Sequence, residues 1–257
     1  MPAAQGTARD GRSLRASHRK MAVLVAHRLV AEIDREQLEP GHRLPPERLM
    51  LEQYGVGRGT LREALRFLEL QGVLTLKPGP GGGPIVSRPE PANLASMLVL
   101  VLQFEGAPFR TIVESRVTLE PVLAGLAAER IGPEELAELA ATIEQMARNR
   151  EDADVYFAAN QRFHEVIASA SGNALFATVL KALLGILDGT VVGIDYPEPR
   201  LTAIVRAHGR VFAALEAGDA QAAARAMRDH TLEYLHYAER RFPHVLARRV
   251  TWDTLPV

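Results

Sequence analysis

A run of glycine and proline about a third of the way along the chain sets the strongest limit on how this sequence can fold. Residues 77–84 read Lys-Pro-Gly-Pro-Gly-Gly-Gly-Pro, and neither a helix nor a central strand continues through such a run. The apolar, β-prone segments on either side, 72–76 and 84–87, predict two short strands that form a hairpin around it. Because Arg-Pro-Glu-Pro at 88–91 then predicts a stiff linker, the hairpin divides the chain into a front part and a back part.

The two parts carry opposite net charges. Residues 1–88 contain 14 Lys and Arg against 9 Asp and Glu, a net charge of +5, whereas residues 89–257 contain 16 against 22, a net charge of −6. This asymmetry predicts an anionic partner for the front part only, although so modest an excess can also arise by chance. Residues 1–18 are polar and basic without an apolar secretory core, and they predict a disordered tail.

Composition and motif content exclude several other classes of protein. The sequence has no cysteine, which excludes disulfides, thiolate metal sites and cysteine nucleophiles and is typical of a cytoplasmic protein. No run of about 18 apolar residues occurs, so we expect no membrane-spanning helix and no membrane partner. The sequence has no HExxH, G-x-S-x-G or Walker motif and no dinucleotide fingerprint in a strand–helix context, so we do not expect an enzyme. A metal-dependent hydrolase is kept as a minor alternative.

Three helical patterns precede the hairpin, the first from about Arg19. The order helix, short helix, glycine turn, basic helix and hairpin predicts a winged helix-turn-helix over residues 19–88. The second helix of such a pair enters the major groove by its N-terminal end, where Arg58 and Arg62 lie one turn apart on an exposed face. Arginine can bond a guanine or a phosphate there, and Thr60 with the helix N-terminus is predicted to hold a phosphate. The alternative interpretation is a solvated face in which the arginines pair with neighbouring glutamates.

Three segments of the front part carry a family resemblance: 38–48, 54–65 and 68–74. They read Leu-Glu-Pro-Gly-His-Arg-Leu-Pro-Pro-Glu-Arg, Tyr-Gly-Val-Gly-Arg-Gly-Thr-Leu-Arg-Glu-Ala-Leu and Leu-Glu-Leu-Gln-Gly-Val-Leu, and they closely resemble the head of GntR-family bacterial repressors. The resemblance implies that the wing and several arginines contact double-stranded DNA. The positions concerned are Arg43, Arg48, Arg58, Arg62 and, in the wing, Gly79.

Beyond a linker placed at 89–96, the chain is rich in Ala, Leu and Glu at helical spacing, and strand signals almost vanish. This predicts a mostly α protein, in which an all-helical bundle at 97–245 follows the winged helix-turn-helix and encloses a ligand pocket. The sequence assigns no role to the C-terminal tail, 246–257, which either packs across an interface or hangs free.

Four residues of the bundle have a spacing that would suit metal ligands. Asn160 and His164 stand one turn apart on one predicted helix, and His208 and His230 lie on the last two predicted helices. Neutral imidazoles together with an oxygen donor would suit Zn, Ni, Fe or Mn. Spacing alone does not show that these residues meet, and a lone histidine is more often a surface or core residue than a ligand.

Residues 108–240 resemble the ligand-binding domain of the FadR branch of the same family, often called FCD. The pieces that match are 114–121, 160–164, 171–173, His208, 218–220 and 227–230. The resemblance implies a divalent metal at Asn160, His164, His208 and His230, with Asn160 in place of the usual Asp and therefore without its negative charge. It further implies that Arg116 pairs with the carboxylate of a small organic acid, and that Asn173 orients this effector. The alternatives are that Arg116 bridges Glu120 on the helix surface and that Asn173 caps a helix.

Together these features predict a ligand-responsive transcriptional regulator, acting as a repressor and as a homodimer. A two-fold dimer presents the same helix twice, so the operator is expected to be pseudo-palindromic. A small carboxylate bound to the back part would favour one placement of the heads. The alternative is an architectural DNA-binding dimer whose helical part only dimerises and gives no small-molecule response.

Overall fold

The computed structural model describes residues 7–79, 81–190 and 193–254, and the chain divides after Asn93 into two compact units. The division lies within the predicted linker, 89–96. Among the described residues, the front unit combines three helices with a two-stranded sheet, and the back unit is built from helices. The predicted fold class is therefore confirmed: a winged helix-turn-helix ahead of an all-helical unit.

The elements of the front unit follow the predicted order. They are α1 (Thr7–Arg35), α2 (Glu47–Tyr54), α3 (Arg58–Leu70), β1 (Leu74–Lys77) and β2 (Gly83–Val86), the two strands being antiparallel. Helix α1 begins at Thr7, which corrects the predicted start at Arg19 and the extent of the predicted disordered tail. The Ala, Arg and Leu residues of this stretch favour helix, so the helix continues back into it. Residues 1–6 of the tail and Pro80 of the wing lie outside the described residues.

The position of α3 depends on an apolar stripe and a glycine turn. Leu61, Leu65 and Leu68 recur at helical spacing and enter a core that also contains Leu29 of α1. Gly55, between α2 and α3, has a φ of 63° in the left-handed region, where its N–H donates to the carbonyl of the last turn of α2. The chain therefore turns at this glycine between α2 and α3. The face of α3 opposite the apolar stripe remains exposed to solvent.

The back unit contains eight α-helices and a short 3-10 turn within the described residues. They are α4 (Pro91–Phe104), α5 (Arg110–Ala128), α6 (Pro133–Arg148), α7 (Ala153–Ala170), α8 (Ala174–Thr190), α9 (Glu198–Glu216), α10 (Ala220–Arg241), α11 (Pro243–Ala247) and η1 (Trp252–Thr254). Asp152 caps α7 by accepting from the Val155 N–H at 3.1 Å, and Asp219 caps α10 by accepting from the Ala222 N–H at 2.8 Å. No helix in the described ranges has the length and apolarity needed to cross a membrane.

Helix α4 begins inside the segment predicted as a linker, which corrects the boundary at 96. Pro91 stands in the first turn, where its missing N–H breaks no helical hydrogen bond. The side chain of Asn93 accepts a hydrogen bond from the Glu90 N–H at 2.8 Å and so fixes the start of the helix. Helix α4 therefore occupies residues 91–96 of the segment that was predicted as a linker.

The C-terminal tail predicted at 246–257 packs on its own unit as far as it is described. Leu246 and Val250 are buried in the main core of the back unit. The Phe109 N–H donates to the Arg248 carbonyl at 2.8 Å, and the Val250 N–H donates to the Ala107 carbonyl at 3.0 Å. These bonds fasten the segment to the connection between α4 and α5.

Candidate functional site

Three of the four predicted metal ligands meet in the interior of the back unit. His164 lies on α7, His208 on α9 and His230 on α10, and each side chain is at most 7% exposed. The Nε2 atom of His230 lies 3.2 Å from Nε2 of His208 and 3.4 Å from Nε2 of His164. One nitrogen from each of the three rings lies within 4.8 Å of the other two.

Ring packing and burial hold this cluster in a state suited to metal binding. The His208 ring stacks on Phe163 with 3.9 Å between centroids, and the His164 and His230 rings stack at 5.3 Å. Burial, reinforced by the neighbouring histidines, holds the pKa values of His208 and His230 well below the usual range. Both rings are therefore neutral near pH 7 and can each present a lone pair.

The spacing of the three nitrogens fits a metal ion. Metal–nitrogen bonds of about 2.0–2.1 Å place two ligand nitrogens about 2.8–3.4 Å apart, from octahedral to tetrahedral angles. Both Nε2–Nε2 distances to His230 lie in this range. Asn160, one turn before His164 on α7, lines the cavity that His164 and His230 also line, which leaves its carboxamide oxygen available as a fourth ligand. The donor set thus fits a divalent cation of the Zn, Ni, Fe or Mn type.

A buried carboxylate connects the cluster to Arg116. Glu120 Oε2 lies 2.5 Å from Nδ1 of His164, and Glu120 Oε1 accepts a hydrogen bond from Nε of Arg116 at 2.5 Å. Burial alone would raise the pKa of Glu120, but Arg116 and then His164 outweigh it and hold that pKa at about 2. The sequence suggested an ion pair between Arg116 and Glu120 on the helix surface as an alternative. This pair does form, but both of its side chains are buried. Glu120 fixes the orientation of His164 with Nε2 directed at the other two rings.

Replacing Glu120 by Gln is expected to lower the free energy of unfolding of the metal-free protein by roughly 3 kcal/mol, because Arg116 would keep a buried charge without its partner. Urea denaturation of the EDTA-treated protein measures this change. Glu144→Gln is the matched control, since Glu144 pairs with Arg148 on the surface and little change is expected. Equal stability of Glu120→Gln and wild type would contradict the buried pair.

The cluster opens onto a cavity of about 390 Å³ between α5, α7, α9 and α10. Arg116 lines it, as predicted for the residue that pairs with an effector carboxylate. The wall also contains polar residues that were not predicted, among them Arg200 in the first turn of α9, Tyr196 just before it and Tyr234 on α10. The signal for Arg200 was its spacing, because residues 200, 204 and 208 recur every four residues on one face of a helix.

Asn173 does not line this cavity, so the geometry gives no support to its predicted role as an effector contact. Its side-chain oxygen accepts the Phe176 N–H at 3.1 Å and caps α8. The Ser171-Gly172-Asn173 stretch is the turn between α7 and α8, where Gly172 adopts a φ of 68°. The capping alternative considered from the sequence describes this residue.

The predicted DNA-binding residues divide into two groups. Arg48, Arg58 and Arg62 are exposed at the helix-turn-helix. Arg48 and Arg62 form exposed pairs with Glu52 at 3.1 Å and Glu47 at 3.3 Å. Such pairs contribute little stability and exchange readily for a phosphate or a base. The structure thus leaves these three arginines accessible on the head, and their contact with DNA stays a prediction.

Two other predicted contacts have different surroundings. Thr60 is only 4% exposed and lies on the buried face of α3, and its predicted phosphate contact stays a prediction. Arg43 is exposed, and its guanidinium donates to the carbonyl of Gly81 in the wing. It therefore supports the wing, in which Gly79 forms an exposed turn with a φ of 93°.

A winged helix-turn-helix joined to a helical unit with a polar, partly buried cavity defines a class of proteins, the ligand-binding transcriptional regulators. Residues 22–82 match the family described as "Bacterial regulatory proteins, gntR family", and residues 111–233 match the "FCD domain". The chain belongs to the GntR family, in the FadR branch that carries an FCD domain. Members of this family bind DNA operators and small-molecule effectors. FCD domains commonly bind metal. The family and the relatives are transcriptional regulators, so the protein is not an enzyme.

Two relatives and one solved structure illustrate the similarity. The chain is 32% identical, over 93% of each chain, to the "Putative L-lactate dehydrogenase operon regulatory protein" of Escherichia coli K12. It is 31% identical, over 68% of each chain, to the "HTH-type transcriptional repressor NanR" of Salmonella newport. The solved structure of Streptococcus agalactiae GntR has 24% sequence identity and a TM-score of 0.65, and the match covers 84% of this chain and 99% of that one, which shows the shared fold.

Proposed function

We propose that this protein is a metal-dependent repressor that binds a small carboxylic acid and changes its affinity for an operator in response. One observation carries the proposal: a buried cluster of three histidines opens onto a cavity that Arg116 also lines. A divalent metal would supply open coordination positions for a carboxylate. Asn160, His164, His208 and His230 would hold that metal.

Arg116 is the residue we assign to the carboxylate of the effector. Its bond to Glu120 uses Nε, so the two Nη groups are the donors that can face a ligand. A fork of two N–H groups matches the two oxygens of a carboxylate and is stronger in an apolar surrounding such as that of Val113 and Leu187. Metal and arginine together would therefore select acids over neutral molecules of the same shape.

The relatives support two parts of the proposal. The E. coli relative is named for an L-lactate dehydrogenase operon, which is consistent with a small carboxylate as the signal. The Salmonella relative is named as a repressor, which supports the same direction of regulation here. An architectural role without a small-molecule response would leave a buried, histidine-lined cavity without a purpose.

We also propose that the protein acts as a homodimer that places two heads on a pseudo-palindromic operator. Helix α4 supports this, because it is apolar on both sides. Ala95 and Val99 enter the core, whereas Met97, Val101 and Phe104 lie exposed along the opposite face. A helix that is apolar all round is normally buried, and a second copy is the partner we assign to this face.

The test uses operator DNA selected from a randomised library with the metal-loaded full chain. We expect at least one acid among acetate, L-lactate, succinate and gluconate to lower the operator affinity about tenfold, within the usual range of coupling between two sites. Arg116→Lys keeps the positive charge beside Glu120 but loses the fork, so it is expected to bind the operator normally and to lose the response. Sedimentation of the same samples is expected to show a dimer.

The proposed function fails if no acid changes either operator affinity or thermal stability. A response that survives in Arg116→Lys would contradict the assignment of Arg116 alone. A monomeric species bound to a single half-site would contradict the dimer.

A further inference from the structure

Arg200 has a side chain that is about nine-tenths buried and carries one donor without a partner among the described residues. It lies in the first turn of α9, lines the cavity, and its side chain is only 10% exposed. Nη1 donates to Glu233 at 2.7 Å, and the guanidinium lies 4.7 Å from the centre of the Tyr237 ring. These contacts fix the side chain, yet its buried Nε has no hydrogen-bond partner within the part of the chain that the structure describes.

An unpaired buried N–H group costs free energy in the ligand-free protein. A protein retains such a group most readily where a ligand completes the bond. Arg200 is not needed to balance the charge of the histidine cluster, because Glu120 is already paired with Arg116. The free donor therefore points to the effector, and this step rests on the carboxylate-binding function proposed above.

The location of Arg200 separates it from the metal end of the cavity. Arg200 and His208 lie on one face of α9 two turns apart, which corresponds to about 12 Å along the helix axis. Tyr234 lies one turn from His230 on α10, or about 6 Å along that axis. The cavity wall thus continues from the histidines toward Arg200, past the tyrosine.

The charges around Arg200 indicate what kind of group it binds. Glu233 already neutralises the guanidinium, and Asp154 adds a negative charge to the cavity wall. A second carboxylate of the ligand would meet no net positive charge there. The polar groups between the histidines and this end, among them Tyr196 and Tyr234, are neutral and suit hydroxyl groups.

We propose that Nε of Arg200 donates a hydrogen bond to an uncharged oxygen of the effector, and that the effector is therefore a hydroxylated monocarboxylic acid. Its carboxylate lies at the Arg116 end, and its hydroxyl groups lie along the tyrosines up to Arg200. Plain alkanoic acids would leave the Nε of Arg200 unpaired. Dicarboxylic acids would place a charge beside Glu233 and Asp154.

The experiment compares three acids of equal chain length on the metal-loaded full chain by calorimetry: gluconate, hexanoate and adipate. We expect gluconate to bind about tenfold or more tightly than either of the others, the effect of one hydrogen bond to a charged donor. In Arg200→Met, which keeps much of the apolar stem, gluconate is expected to lose about tenfold and hexanoate almost nothing. Arg200→Lys keeps a positive charge near Glu233 but lacks Nε, and it is expected to behave like Arg200→Met.

Two further variants sharpen the result. Arg150→Met is the matched control, because Arg150 pairs with Glu198 at the start of α9 and does not line the cavity. Glu233→Gln leaves the charge of Arg200 unbalanced and is expected to shift the preference from gluconate toward adipate.

Equal or tighter binding of hexanoate or adipate by the wild type would overturn the proposal, as would unchanged gluconate affinity in both Arg200 variants. If the metal-loaded protein binds none of the three acids but still responds to a shorter acid in the operator assay, this proposal fails alone; if no acid has any effect, the carboxylate function itself fails as well. The two failures are thus distinguishable.

Discussion

Replacing Arg58 and Arg62 together by alanine is expected to lower operator affinity at least about a hundredfold, since each arginine–base contact contributes about 1–3 kcal/mol. Both side chains are exposed at the N-terminal end of α3, the end that enters the major groove in proteins of this architecture. The buried stripe of α3 does not include them, so the melting temperature is expected to remain unchanged. Fluorescence anisotropy with selected operator DNA measures the affinity.

The control for this prediction is a double variant of equal charge change in the same unit. Arg35 and Arg88 are exposed and pair with Glu36 and Glu39, away from α3 in the sequence. Their replacement by alanine is expected to alter operator affinity only through the general charge of the head, a few-fold at low salt. A loss of operator affinity as large as that of the α3 variant would contradict the assignment of α3 as the helix that enters the major groove.

Arg58→Lys separates base reading from phosphate binding. Lysine keeps the charge but cannot bond the two acceptors of guanine with a rigid fork. The variant is expected to keep most of its affinity for non-specific DNA while its preference for the operator falls. If both affinities fall equally, Arg58 contacts a phosphate rather than a base.

The second large effect is expected at the metal cluster. Replacing His208 and His230 by alanine removes two of the three histidine ligands, so the purified protein is expected to contain almost no bound Zn, Ni, Mn or Fe, against about one ion per chain in the wild type. Elemental analysis measures the content. A thermal-shift scan should show an EDTA-dependent fall of the melting temperature in the wild type only, because an ion that binds the folded state stabilises it.

His236 and His244 supply the matched control, since both are exposed and lie outside the cluster. Their replacement by alanine is expected to leave the metal content unchanged. Asn160→Asp should act in the opposite direction and tighten metal binding about tenfold or more, because it adds a negative charge to the ligand set. Full metal content in the His208 and His230 variant, or no gain in Asn160→Asp, would contradict the four-residue site.

Much of the head was predictable because its signals are local. The glycine turn before α3, the apolar spacing of Leu61 and Leu65, and the glycine-rich wing act over a few residues each. The burial of Thr60 also had a local signal: Thr60 precedes Ala64 by one turn and therefore lies on the buried stripe of α3. Residue type suggested a phosphate ligand, whereas helix periodicity determined the direction of the side chain.

The back unit shows where local signals end. Helical spacing assigned His164, His208 and His230 to three separate helices and marked them as candidate ligands. The i,i+4 pairing of Arg116 with Glu120 was also visible, but not its burial or its contact with His164. Asn173 carried a capping signal and a ligand signal at once, and only its position relative to the cavity separates the two.

The sequence by itself determined the order of the elements, the two-unit division and the residue types available for DNA and metal, because backbone propensity and side-chain periodicity act within one element. The tertiary structure alone decided that three histidines 22 to 66 residues apart place their Nε2 atoms 3.2 and 3.4 Å from one another. It also decided that Val250 closes the core rather than remaining in a free tail. The physical reason is that periodicity assigns a residue to a face of its helix, whereas the helix that packs against that face is chosen by the packing of all the apolar faces together.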